Sequence, residues 1–131
     1  MRTRRTDDGY SRYLTKATEC LAMAQDAFGK RLWNASAISA IHAVISSCDA
    51  LVAFYLGVRS AGERHDDVLT LLARVDIPKE DYAKIRRQIS HALSIKNKAE
   101  YEDRLIQQDE AESILRDAER TFNWVKARLM S

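Results

Sequence analysis

The segment that follows Asn34 constrains the fold more than any other. Ala37, Ile41, Val44, Cys48, Leu51 and Tyr55 recur at intervals of three and four, and Ile38, Ile45 and Val52 widen the apolar stripe. A helix apolar around so much of its circumference must be covered by neighbours, so this segment is expected to be the most buried helix of a bundle. Asn34 is placed to cap its start, and Gly57 to end it in the left-handed conformation.

The same period organises the rest of the chain. From Ser11 to about Arg31, the residues Leu14, Ala17, Leu21, Ala24 and Phe28 predict a first amphipathic helix. A short helix on Val68, Leu71, Leu72 and Val75 is expected to stop before Pro78. Tyr82, Ile85, Ile89 and Ala92 carry a helix from about Pro78 to the mid-nineties. The polar stretch KNKAEYEDRLIQQ separates it from a last helix on Ala111, Leu115, Ala118, Phe122, Val125 and Leu129, whose start is marked by Asp109 and Glu112 in capping-box spacing. No alternating run bounded by turn signals is found, so the expected class is all-α. Short connections make it an up-and-down antiparallel bundle of four long helices plus one short helix. Residues 1–10 read as a flexible N-terminal arm and 11–131 as one helical domain, as the length of 131 residues suggests.

Composition removes several functional classes. With 46% hydrophobic residues, one Pro and four Gly, the chain is neither a turn-rich β-sandwich nor low-complexity. Lys plus Arg number 21 against 19 Asp plus Glu, a net charge of +2, so a nucleic-acid site has to be local. The local concentration is Lys84, Arg86, Arg87, Lys96, Lys98 and Arg104, diluted by Glu100, Glu102 and Asp103; it reads as a phosphate site or as a solvated helix face. Cys20 and Cys48 have no zinc-site spacing, and His42, His65 and His91 no HExxH spacing, so neither metal nor cofactor is expected. The charged N-terminus is followed by no apolar run, and about 18 consecutive apolar residues occur nowhere, so no membrane contact and a cytoplasmic location are expected. His42, sharing a face with Ile38 and Ile45, is expected in the core or an interface. Trp33 and Trp124 could stack on bases, and more often such residues anchor a bundle.

Three segments, DALVAFYLGVRSAGERHDDVLTLL, KNKAEYEDR and DEAESILRDAERTFNWVKARL, occur in an order that resembles the HEPN domain (higher eukaryotes and prokaryotes nucleotide-binding). The resemblance implies a homodimer and an RNA or nucleotide ligand. It also implies a nucleotidyltransferase or antitoxin partner, as in toxin-antitoxin systems. Many members are metal-independent ribonucleases with an Arg, four to six residues, then a His. The His passes a proton near neutral pH and the Arg forks onto phosphate. Literal matching gives Arg86 and His91, which diverge by about 140° on a continuous helix; Arg87 and His91 face each other better, about 40° apart, with one residue too few between them. Matching by position gives Lys96 for the Arg, Asn97 for its polar neighbour and Tyr101 for the His, with Arg104 and His65 nearby. That placement implies a degenerate ribonuclease site that binds without cutting, because Lys lacks the planar fork and Tyr is a poor base at neutral pH. An active ribonuclease using Arg86 or Arg87 with His91 is the alternative, and a helical interaction scaffold a further one.

Overall fold

Small side chains set how closely the helices approach. The computed structural model describes residues 3–5, 9–60, 67–102 and 104–130. Its helices are α1 (Gly9–Gly29), α2 (Trp33–Leu56), α3 (Asp67–Leu72), α4 (Lys79–Tyr101) and α5 (Gln108–Leu129), the four long ones plus one short one of an all-α bundle. Ala17, Ala24 and Ala27 of α1 are buried, as are Ala37, Ala40, Ala43 and Ala50 of α2. The Ser36 hydroxyl on α2 donates 2.8 Å to the carbonyl of Ala24 on α1, a bond that needs the two backbones close together. α2 touches each of the other four helices. By length and composition it could cross a membrane, with a mean hydropathy of 1.7, yet 67% of that window is buried inside the bundle, as a core helix would be. Ile41 and Leu51 of α2 pack into one cluster with Leu71 and Leu72, Ile89, Ile106 and Ile114.

The turns differ from the sequence expectation in instructive ways. Gly57 ends α2 with φ 65°, as expected of a left-handed C-cap. α1 ends the same way without a glycine at that position. Arg31 stands at φ 63°, its N–H bonds Phe28 O at 3.0 Å, and Leu32 N–H bonds Ala27 O at 2.9 Å. Those two bonds are a Schellman motif with Arg at the left-handed position, where an L side chain costs about 1–2 kcal/mol. Asn34 does not cap α2, which begins one residue earlier at Trp33. Its Oδ1 instead accepts the Ile106 N–H at 2.9 Å, tying the α1–α2 turn to the α4–α5 turn. α5 starts at Gln108, so its capping pair is Gln107 with Glu110 rather than Asp109 with Glu112; Glu110 Oε1 accepts the Gln107 N–H at 3.1 Å. A strand-free chain was expected, but β1 (Thr3–Arg5) pairs antiparallel with β2 (Val58–Ser60), Arg4 opposite Arg59. Three-residue strands are too short for alternation to register in the sequence.

The alanine-lined contact gives a direct test. Ala24→Leu should lose about 1–3 kcal/mol by overpacking. Met23→Leu on the neighbouring exposed position should change little, both read from urea denaturation midpoints.

Candidate functional site

α4 runs unbroken from Lys79 to Tyr101, and that continuity sets the angles between the candidate residues it carries. Arg86 and His91 lie five residues apart, hence about 140° around the helix, and cannot converge within one chain. Arg87 lies about 40° from His91 and shares its flank. Arg86 and Arg87 are both exposed. His91 is half-buried, its side chain 31% exposed, and Nδ1 donates to Oδ2 of Asp117 on α5 at 2.6 Å. With Nδ1 held by a carboxylate, Nε2 is the nitrogen left for another partner, since such a bond fixes the tautomer and ring orientation of a histidine. Asp117 escaped the sequence reading. It sits beside core residue Ala118, and only the register of two antiparallel helices brings it opposite His91.

The positional set is arranged otherwise than the sequence implied. Lys96, Asn97 and Tyr101 were expected at the edge of a polar loop, but they form the last turns of α4 because no residue before Glu102 breaks the helix. Lys96 and Tyr101 therefore diverge by about 140°, and Lys96 is half-buried. Asn97 and Tyr101 share the outer face, Tyr101 being 76% exposed. Arg104 forks onto Glu110 with bonds of 3.0 and 2.8 Å, and Lys98 Nζ stands 3.8 Å from the same carboxylate. The Arg104 guanidinium, with the Gln107 N–H, lowers the Glu110 pKa to about 2. His65 lies outside the described residues. His42, expected in the core or an interface, is exposed.

The α4–α5 turn meets the α1–α2 turn at this end of the bundle. Between them lies a pocket of about 470 Å³, lined by Arg31, Leu32, Trp33, Asn34, Ala35, Leu105, Ile106 and Gln107. The Arg31 guanidinium stands 5.6 Å over the Trp33 ring, and Phe28 meets the same ring edge-on at 5.1 Å. Leu32 and Leu105 remain 53% and 69% exposed at its rim. Arg31 and Trp33 thus join Lys98 and Arg104 at one end, a convergence the sequence could not indicate because some seventy residues separate the two turns. Among the described residues, no group of three His, Cys, Asp or Glu side chains could hold a metal ion.

A sequence model of the family described as HEPN domain matches residues 10–128. No curated protein matches the chain.

The ion pair at this end should be visible in stability. Glu110 has its folded pKa depressed from 4.5 to about 2, so the stabilisation is complete above about pH 4.5 and lost as the pH falls toward 2. Thermal melts of the wild type and Glu110→Gln should therefore differ at pH 6, and the difference should close between pH 4.5 and 2.

Proposed function

Because the chain belongs to the HEPN domain family, we propose that it is an RNA- or nucleotide-phosphate-binding module with a degenerate ribonuclease site, working as a homodimer at the bundle end described above. A nucleotidyltransferase or antitoxin partner belongs to the same reading. Arg31 carries it. A non-glycine residue is held in the left-handed region at a cost of about 1–2 kcal/mol, and its guanidinium lies over an indole at the mouth of a pocket. Strain of this kind persists where a side chain is wanted in one place, and a cation beside an aromatic ring is what single-stranded RNA meets in its binding proteins. Lys98 and Arg104 supply further phosphate contacts. Tyr101 offers an exposed ring for stacking, with Asn97 beside it as a donor. Lys96, half-buried on α4, adds positive charge at the same end.

Fluorescence anisotropy with labelled single-stranded RNA, in chelator and across a salt series, tests this reading. Lys98→Ala should weaken binding and reduce the salt slope by about 1. Arg31→Gly should weaken binding and yet raise stability by a few tenths to about 1 kcal/mol, since relief of the left-handed strain exceeds the lost cation–π contact. RNA binding that is absent at low salt, or unchanged in Arg31→Gly, would sink the proposal.

The His91–Asp117 pair favours a second reading, an active metal-independent ribonuclease. Nε2 of His91 would take the ribose 2′-OH proton as the 2′-oxygen attacks phosphorus and the bond to the 5′-oxygen breaks, that oxygen taking a proton from water, while Arg87 holds the phosphate oxygens. In chelator, cutting should leave 2′,3′-cyclic phosphate ends. His91→Ala should abolish them, and Asp117→Asn should reduce the rate roughly 10²–10⁴-fold. Intact RNA after prolonged incubation with the wild type leaves binding as the function.

A further inference from the structure

The groove between α4 and α5 opens again one turn past the His91–Asp117 pair, toward the start of α4. There it forms a pocket of about 200 Å³ lined by Asp81, Lys84, Ile85 and Gln88 of α4 with Arg120 and Trp124 of α5. Gln88 is only 9% exposed, and its Oε1 accepts from the fully buried Thr121 hydroxyl at 2.6 Å. Packing does not call for this polar pair. The buried residues nearest in sequence on the two helices are apolar, Ile85, Ile89 and Ala92 on α4 and Ala118, Phe122 and Val125 on α5. Two apolar side chains of similar shape would take its place with no polar group taken out of water. What the Thr121 bond does achieve is to fix the Gln88 amide, with Oε1 spent inside and Nε2 left as the donor of a pocket-lining residue. The second feature is the half-buried Trp124 ring, over which the Arg128 guanidinium stands at 5.5 Å. The third is a pair of cations, Lys84 and Arg120, both exposed, one from each helix.

We propose that this pocket binds a ribonucleotide. The base stacks on Trp124 and accepts from the Gln88 amide, the phosphate sits between Lys84 and Arg120, and Asp81 accepts from a ribose hydroxyl. At about 200 Å³ the pocket is smaller than the roughly 300–1,000 Å³ that encloses a whole drug-sized ligand, so only part of a nucleotide is enclosed. One ring system enters and the sugar-phosphate stays at the mouth. An acidic peptide would use the two cations but leaves the indole and the fixed amide without a purpose. The ligand is either a free nucleotide or one residue of an RNA strand; in the second case the strand continues along the groove toward Arg87 and His91. The site goes beyond the bundle-end reading and uses none of its residues.

The chain has two tryptophans, so Trp33→Phe leaves Trp124 as the sole indole reporter. In that background, the four ribonucleoside 5′-monophosphates and a ribotetranucleotide are titrated in chelator, with inorganic phosphate and ribose 5-phosphate as controls. Saturable quenching by a nucleotide is expected, with neither control reproducing it. A tetranucleotide at least tenfold tighter than any monophosphate assigns the site to RNA; otherwise the free nucleotide is the ligand. Lys84→Met with Arg120→Met should weaken binding at least tenfold. Gln88→Leu with Thr121→Val should do the same while the melting temperature holds or rises, which separates recognition from folding. Absence of saturable quenching, equal binding of the controls, or full binding in both double variants overturns the assignment. Arg31→Gly scores the bundle end separately, so either site can fail alone.

Discussion

The burial of α2 on nearly every side is the constraint on which the remaining structure depends. A helix with so little polar surface has to be enclosed, and α1, α4, α5 and α3 do so together. Alanine makes the closest of these contacts possible. The buried Ala17, Ala24 and Ala27 of α1, with Ala37, Ala40 and Ala43 of α2, bring the helices near enough for Ser36 to bond a carbonyl across the gap. Close approach there leaves α4 and α5 to cover the opposite side, packed more fully on α2 than on each other. The resulting seam is shallow and polar in places, and it holds His91, Asp117, Gln88, Thr121 and the pocket beside Trp124.

The ends of the bundle follow from the same packing. Two turns far apart in sequence must meet wherever four long helices alternate in direction. Here Asn34 joins them by accepting the Ile106 N–H. That bond places Arg31 and Trp33 beside the turn that carries Arg104. Glu110 then acts on two levels: it completes the start of α5 through the Gln107 N–H, and it holds Arg104 and Lys98 in place. The charge of Arg104 is thus partly answered within the chain, and a phosphate there would share the guanidinium with a carboxylate.

How much of this was legible in the sequence varies with the range of the interaction. Helix identity and buried faces were readable, because a stripe such as Ala111, Leu115, Ala118, Phe122 and Val125 is a local property and each of those residues is indeed buried. Gly57 was readable for the same reason. Caps were less so: Asn34 and the Asp109–Glu112 pair have the right chemistry, but a boundary shift of one or two residues gave their roles to other residues. Arg31 was invisible as a left-handed C-cap, since nothing in an Arg announces a positive φ. Of the candidate site, Arg87 and His91 on one flank followed from helix geometry. Asp117 did not, because it depends on how far α5 slides along α4.

What the sequence by itself determined is the set of rods, their apolar faces and hence the class of the fold, since 3.6-residue periodicity and helix propensity act between near neighbours along the chain. It also carried the order of segments that marks the HEPN domain. Tertiary structure alone decided which polar residues meet. Whether Lys96 points with Tyr101, whether His91 has a carboxylate, and which turn lies against which are settled by the length of α4 and the register of antiparallel helices. Those quantities arise from packing of the whole bundle, where a displacement of one turn exchanges one set of partners for another.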